Sequence, residues 1–498
     1  PPAMNEAYDL LVIGGGINGA GIARDAAGRG LRALLVEKND LASHTSSAST
    51  KLVHGGLRYL ENYEFRLVAE SLREREVLLR NAPHIIWPLR FVMPHEPSMR
   101  PKWMLWLGLA LYDRIGGRMS LPKSKRVKLR VAPHRTILQD RLTSGFEYSD
   151  CWVEDARLVV LTARDAEERG AEICVRTECT ALERSADGWS ATLRSAAGER
   201  SVTARAVINA AGPFVDRVAK IALGAGTPAH LRLVKGSHII VSRRFSGEHA
   251  YIFQQPDGRI IFAIPYERDY TLIGTTDLLY EGDLDAVTIA PEETRYLCEA
   301  ASRYFTSAVT EEEIVSSYAG VRPLYEDDAA SNSTVTRDYV FELDAQDGAP
   351  ILSVYGGKIT TYRKLAEHAL EKLGEVMPLP GRDWTAHAPL PGGDMPDADF
   401  AGFLWEAGER YAWIPPEMLL RLARAYGTRI DRVLGGATAL ADLGRHFGGT
   451  LYEAELRYLV DHEYARTAQD VLWRRSKLGL HLPDEAQQAV ADWFAARD

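Results

Sequence analysis

The sequence predicts a mixed α/β and α+β chain in three parts, and three observations carry that expectation. Residues 8–36 read as a strand, a glycine turn, a helix and a second strand, the unit from which a Rossmann-like parallel sheet grows. Leu231–Asp277 is dense in short β-like runs, which points to a β-rich domain inserted into that fold. Beyond about Asp383, a patch holding Pro389, Pro391, Gly392, Gly393 and Pro396 gives way to helical periodicity, which points to an all-α C-terminal domain. The expected limits are 7–85, 145–220 and 318–380 for the parallel-sheet domain, 86–144 and 221–317 for the inserted domain, and 385–498 for the helical one.

The elements follow in order. Tyr8–Ile13 is a strand, the helix after the turn runs through Ala27, and Leu31–Val36 is nearly all apolar, as a strand buried on both faces should be. Glu64–Leu79 is an amphipathic helix. Pro83, Pro88, Pro94, Pro97 and Pro101 break up what comes next. Ile173–Asn209 alternates short β-like runs with turns. Within the β-rich part, 238–241, 260–264 and 271–273 are strands. Ile351–Tyr355 is another, followed by a helix over Thr360–Leu373. The C-terminal helices are expected at 417–426, 452–462, 468–477 and 485–495, and Thr467–Asp470 resembles a capping box.

Composition bounds the partners. The chain has 498 residues and a net charge of −9, which argues against nucleic acid. Only Cys151, Cys174, Cys179 and Cys298 occur, with no spacing typical of a zinc site, so all four read as structural thiols in a reducing compartment. No calcium loop is present in the sequence pattern. Pro1-Pro2-Ala3-Met4 reads as a tag remnant before a native Met4, with no signal peptide after it. One segment departs from the average: Ser98–Arg130 holds nine Lys or Arg against the single acid Asp113. Within it, Trp103–Tyr112 is rich in Trp and Leu and far shorter than a bilayer span. Such a segment suits the headgroup region of an anionic bilayer, with a buried helix beside a solvated loop as the competing reading.

Gly14, Gly16 and Gly19 fit GxGxxG between a strand and a helix, and Glu37 ends the second strand. The first glycine makes the tight turn, the second lets backbone approach a pyrophosphate, and the third lets helix pack on strand. The helix N-terminus attracts phosphate, and Glu37 can accept from ribose hydroxyls. The motif does not separate NAD from FAD. Two later turns favour FAD. Ala210-Ala211-Gly212 ends a strand with small residues, and Gly356–Thr361 joins a strand to a helix whose first N–H groups could face a reduced flavin.

These stretches, with 13–21, 45–60, 146–150, 234–238, 273–277, 320–324 and 356–361, resemble the bacterial aerobic FAD-dependent glycerol-3-phosphate dehydrogenase family from Asp9 to about Leu482. Thr50 and Ala210-Ala211-Gly212 are conservative departures. The resemblance implies a Rossmann-like FAD-binding domain, an inserted substrate-binding and membrane-facing domain, and oxidation of sn-glycerol 3-phosphate to dihydroxyacetone phosphate. It also implies electron transfer to a membrane quinone, a homodimer, and a peripheral place on the cytoplasmic face of the bacterial inner membrane. For FAD it points to Gly14, Gly16, Asn18, Gly19, Glu37, Thr45, Ser46, Ser47, Ser49, Lys51, Leu52, Ala211, Gly212, Gly357, Lys358, Ile359 and Thr360. For substrate it points to Arg58, Tyr59, Thr275, Thr276, Arg322 and Lys358, with His238, Arg322 and Lys358 carrying the chemistry.

The residue types make sense. Arg binds phosphate through a two-pronged fork and Lys adds a point charge. His238 could take the C2 hydroxyl proton while the C2 hydrogen leaves as hydride, and nearby cations would keep its imidazole neutral. It could instead be a satisfied core histidine, and Arg58 could pair with a surface carboxylate. Three other functions stand beside the main reading: a soluble oxidase using O2, a non-catalytic flavoprotein redox sensor, and an amine-oxidising flavoenzyme.

Overall fold

The computed structural model describes residues 6–326 and 339–497; the tag reading of residues 1–4 lies outside them. Strand β1 (Glu6–Ile13), helix α1 (Ile17–Gly28) and strand β2 (Ala33–Val36) open the chain as the periodicity predicts. Helices α2 (Phe65–Asn81) and α3 (Lys102–Tyr112), strand β3 (Ser144–Val153) and helix α4 (Asp155–Glu168) follow. Strands β4 (Gly198–Asn209), β5 (Leu231–Ser242), β6 (Ile314–Tyr325) and β7 (Ile351–Gly356), then helix α5 (Tyr362–Gly374), complete the elements that frame the site.

Two sheets organise these elements. In the eight-stranded sheet, β1 lies between β2 and β4, and β7 lies beyond β4, all parallel. β1 and β2 are buried along nearly their whole length, because two apolar cores cover them: α1, α4 and α5 share one with Leu10, Val12 and Leu35, and Trp189 and Leu193 share the other with Leu11, Ile13 and Leu34. The second sheet has ten strands. β6 pairs with β5 along most of its length, and β3 lies near the opposite edge.

This changes the expected limits. Residues 145–153 and 318–325, expected in the parallel-sheet domain, are strands of the second sheet. A strand also runs over Ile86–Pro94, where the prolines were expected to break the chain. Pro88 sits opposite Cys151 at an exposed position, and the second neighbour of this strand pairs only at Phe91 and Val92. The missing N–H of Pro88 therefore breaks no ladder bond on that side.

The C-terminal part is helical, with its own core around Leu422, Leu456, Leu459 and Val490. It also holds one two-stranded ribbon, His446–Gly448 with Leu451–Tyr452, too short to leave a periodic signal. Thr467 and Asp470 cap each other reciprocally, as their spacing predicts. Buried ion pairs tie this part to the first sheet's layer: Arg475 and Arg474 grip Asp40, and Arg157 of α4 pairs with Glu463. Removing one partner of such a pair would strand a buried charge.

Helix α3 buries Leu109 and Tyr112 but exposes Trp103 (63%), Leu107 (62%) and Leu111 (38%). Those three lie at i, i+4 and i+8, on one stripe of the helix. No described helix is long and apolar enough to cross a membrane.

Candidate active site

The parallel sheet brings its turns to one edge. Ile13 pairs with both Val36 and Asn209, and Asn209 pairs with Ser353, so the chain leaves β1, β2, β4 and β7 on the same side. Ligands bind at such carboxyl edges. Gly14 has φ +121°, and a Cβ there would lie 2.2 Å from the Ala210 oxygen. A Cβ on Gly19 would lie 1.9 Å from the Gly14 oxygen. The turn is thus closed to a side chain at Gly14 and Gly19, and α1 starts directly on it.

Gly16 caps α1 with no side chain of its own, and Ile17 N donates to Ser46 Oγ at 3.0 Å. The Glu37 carboxylate accepts from Gly15 N and Asn39 N, each at 2.8 Å, and burial raises its pKa. Asn18 Nδ2 donates to the Gly356 oxygen at 3.0 Å, joining the first turn to the last. The Asn18 Oδ1 atom is buried without a partner among the described residues.

The segment 45–60 laces the remaining motifs together. Thr45 Oγ1 donates to the Val321 oxygen at 2.6 Å, next to Arg322. Thr50 Oγ1 and His238 Nε2 lie 2.9 Å apart, and Tyr318 OH donates to the Ser49 oxygen at 2.7 Å. His54 N donates to Thr360 Oγ1 at 3.1 Å. Lys358 Nζ lies 4.9 Å over the Tyr59 ring and donates to Ser71 Oγ. Stretches far apart in sequence therefore meet at one place.

His238 is the buried centre of this arrangement. Its ring stacks on Tyr318 with centroids 4.7 Å apart. Burial pushes its pKa down to about 3, and the Lys51 and Arg322 charges add to that against the opposing pull of Asp155. The imidazole is neutral at working pH, the form a proton acceptor requires. Its Nδ1 is buried and has no partner among the described residues.

The expected cations do not form one open cluster. Arg322 is half exposed and pairs with Asp277 at 3.1 Å. Arg58 is exposed and donates to the Gly258 oxygen. Thr276 does not face a ligand: its hydroxyl accepts from Ser237 N and donates to Glu293 at 2.7 Å, all buried. Thr275 is more accessible and keeps only a weak local bond to the Thr276 oxygen.

Ser49 and Lys51, expected to touch the cofactor, turn inward. Lys51 has φ +63°, and its Nζ lies 2.9 Å from Asp155 Oδ1 with both side chains buried. Burial would raise the Asp155 carboxyl, but Lys51 overrides this and holds it below the usual range. Ser49 Oγ donates to the same carboxylate, and Leu52 lies in a short buried strand. Ser47 Oγ donates to the His44 oxygen.

Ala211 and Gly212 stand at the end of β4, where Gly212 opens a 3-10 turn. Gly357, Lys358, Ile359 and Thr360 lead from β7 into α5 through a similar turn. Sequence reasoning missed Tyr318, the stacking partner of His238. Its only sequence signal is its place just before the 320–324 motif. Thr50 was visible only as a conservative departure within the 45–60 stretch, with no role attached to it.

A family model described as "FAD dependent oxidoreductase" matches residues 9–363, and one described as "C-terminal domain of alpha-glycerophosphate oxidase" matches residues 384–496. The chain belongs to this FAD-dependent oxidoreductase family. A D-erythritol 1-phosphate dehydrogenase of Brucella abortus is 52% identical over 99% of this chain and 98% of its own length. A glycerol-3-phosphate dehydrogenase of Pseudomonas aeruginosa is also 52% identical, over 99% and 96%. Among solved structures, the glycerol-3-phosphate dehydrogenase of Bacillus halodurans complexed with FAD is 30% identical, covers 99% of this chain and 90% of that one, and superposes with a TM-score of 0.81. The expected membership and cofactor are thereby borne out. The turn closed to a Cβ at Gly14 and Gly19, Glu37 at the end of β2 and the Asn18 oxygen without a partner among the described residues fit an FAD-dependent oxidoreductase.

Proposed function

We propose that this oxidoreductase converts sn-glycerol 3-phosphate to dihydroxyacetone phosphate at the meeting point of His238, Tyr59, Lys358 and Arg322. The observation that carries this reading is the lacing of segment 45–60 to the His238, Arg322 and Lys358 stretches beside the dinucleotide turn. In this reading the backbone of Gly14, Gly16 and Gly19 faces the pyrophosphate, Glu37 the adenosine ribose, and Ala211–Gly212 with Gly357–Thr360 the ring system. FAD, when bound, would supply a two-electron acceptor for the C2 hydrogen, with a membrane quinone as the final acceptor in this reading.

The chain's own residues do the rest. Arg322 exchanges Asp277 for the substrate phosphate, a stronger charge-assisted partner. Lys358 adds a second positive charge, and Arg58 closes the site from its rim. Neutral His238 takes the C2 hydroxyl proton, and the nearby cations stabilise the alkoxide that develops. Tyr59 and Thr275 orient the polyol by hydrogen bonding. The exposed stripe on α3, with the basic residues after it, rests the protein as a peripheral homodimer on the cytoplasmic face of the bacterial inner membrane. This places the acceptor quinone within reach.

A second reading concerns the substrate alone: a longer polyol phosphate, which the equally similar erythritol-phosphate relative favours. The test compares kcat/KM for sn-glycerol 3-phosphate, D-erythritol 1-phosphate and glycerol with a short-chain quinone. Preference for the first supports the proposal, preference for the second moves the assignment to the longer polyol, and equal use of glycerol removes the phosphate site.

A further inference from the structure

The C-terminal domain reaches the dinucleotide turn through two loops of the parallel-sheet layer. The first, Glu37–Ala42, leaves β2 and closes on the turn at both ends. The Glu37 carboxylate accepts from Gly15 N at 2.8 Å, and Ala42 N donates to the Gly15 oxygen at 3.0 Å. The second, Cys174–Thr177, brackets Glu37. Glu37 N donates to the Cys174 oxygen at 2.9 Å, Thr177 N to the Glu37 oxygen at 2.8 Å, and Arg176 N to the Asn39 oxygen at 2.8 Å. Ala42 and Arg176 have φ +56° and +51°, the left-handed region that a residue with a side chain keeps only where its surroundings impose it.

One turn of the C-terminal domain holds both loops from outside. Asp470–Arg475 is a π-helical turn, a geometry that often marks functional positions. It sets two successive arginines on the first loop: Arg474 Nε lies 2.6 Å from Asp40 Oδ2, and Arg475 Nη2 lies 2.7 Å from Asp40 Oδ1. The same turn holds the second loop, since Asp470 Oδ1 accepts from Arg176 Nη2 at 2.8 Å and from Arg474 Nη2 at 2.6 Å. Asp40, Asp470 and Arg475 are buried, and Arg475 Nε is braced from behind by the Glu463 oxygen at 2.8 Å. Burial would raise the Asp40 carboxyl, but the two arginines hold it below its usual range, so the grip stays charged. Charge-assisted bonds of this kind are strong and directional, and losing one partner leaves the other charge buried.

We propose that this turn is a cofactor clasp: Arg474, Arg475 and Asp470 of the C-terminal domain hold the Glu37–Ala42 loop in the shape that receives the adenosine half of FAD, so that docking of this domain sets how tightly FAD is kept. The proposal rests on the reading of the Gly14–Gly19 turn and Glu37 as the adenosine side of the site. The three are positioning residues, acting on the cofactor through Glu37 and Gly15. Release of Asp40 frees the loop between its two bonds to the Gly15 peptide, and that peptide sits between Gly14 and Gly16. The docked domain thereby keeps the turn ready for a pyrophosphate, and a displaced domain lets FAD go.

The test uses the FAD-loaded full chain and reads FAD affinity from the flavin fluorescence released on dilution, beside stability in denaturant. Arg474→Gln should weaken FAD binding about ten- to a hundred-fold, one charge-assisted bond lost from a buried site. Arg474→Lys, which keeps a charge, should recover most of that. Arg176→Gln removes only the outer tie, from a partly exposed side chain, so it folds even where Arg474→Gln does not; it should weaken FAD about three-fold. Glu463→Gln breaks the buried pair with Arg157, which ties the same domain to α4 and bonds to neither loop. It should lose stability yet keep FAD affinity within about two-fold. Wild-type FAD affinity in both Arg474→Gln and Arg176→Gln overturns the clasp. So does an equal loss in Glu463→Gln, because the domain then acts only through overall stability. If Glu37→Gln alone keeps full affinity, the ribose reading of that carboxylate falls, while the loss in Arg474→Gln still supports the clasp.

Discussion

Replacing Trp103, Leu107 and Leu111 together by Ser removes the apolar stripe of α3 without touching the core side of the helix. The three are 63%, 62% and 38% exposed, so the surface still available to lipid is large. At roughly 1.5–3 kcal/mol for full burial of each side chain, their exposed parts contribute about 4 kcal/mol to membrane contact. That corresponds to about a thousand-fold in partitioning. The assay is co-sedimentation with phosphatidylglycerol vesicles over a lipid titration. Bound FAD and near-ultraviolet circular dichroism, unchanged in the variant, report that Leu109 and Tyr112 still pack. Turnover with a water-soluble quinone should be retained, and turnover with a quinone confined to vesicles should fall with the partitioning. A variant that sediments within about two-fold of the wild type would refute the energetics, since no other described helix exposes a stripe of this kind at its turns.

Three more outcomes are expected. Gly19→Ala drives a Cβ to 1.9 Å from the Gly14 oxygen, so it should purify folded but with FAD content lowered about ten-fold or more, read from the ratio of absorbance at flavin and protein bands. Lys51→Met strands the buried Asp155 carboxylate and should cost about 3–5 kcal/mol in denaturant unfolding, partly recovered by adding Asp155→Asn; no loss would mean the pair is not buried as described. His238 has a folded pKa of about 3 against about 6.5 unfolded, so the unfolded chain binds the extra proton. Its contribution to stability is present above about pH 6.5 and is lost as pH falls toward 3. Flavin reduction should likewise show no acid limb near pH 6.5, and a limb there that vanishes in His238→Asn would contradict the buried neutral imidazole.

The parts of the fold that were legible are those whose signal is local. The turn at Gly14–Gly19 needs its glycines for steric reasons confined to a few neighbouring residues, and the strands on either side are apolar throughout. The long-range parts were not legible. Whether Lys51 points at a cofactor or at Asp155 is decided by its left-handed backbone and by a helix that starts more than a hundred residues later. Thr275 and Thr276 look alike in sequence, yet Glu293, on a distant helix, claims only the second. Tyr318 is one aromatic among many until β6 pairs with β5 and sets it opposite His238. Pro88 reads as a breaker because the sequence does not tell which edge of a strand is unpaired.

The central claim is that Arg322 belongs to a phosphate site beside the flavin. The direct measurement is an anaerobic titration of the FAD-loaded enzyme with sn-glycerol 3-phosphate, followed at the flavin band, on the wild type and on Arg322→Ala. The account predicts bleaching in both, with the variant needing about ten- to a hundred-fold more substrate, the worth of a hydrogen-bonded charge. A wild-type enzyme that stays yellow, or a variant that titrates at the same concentration, would contradict it.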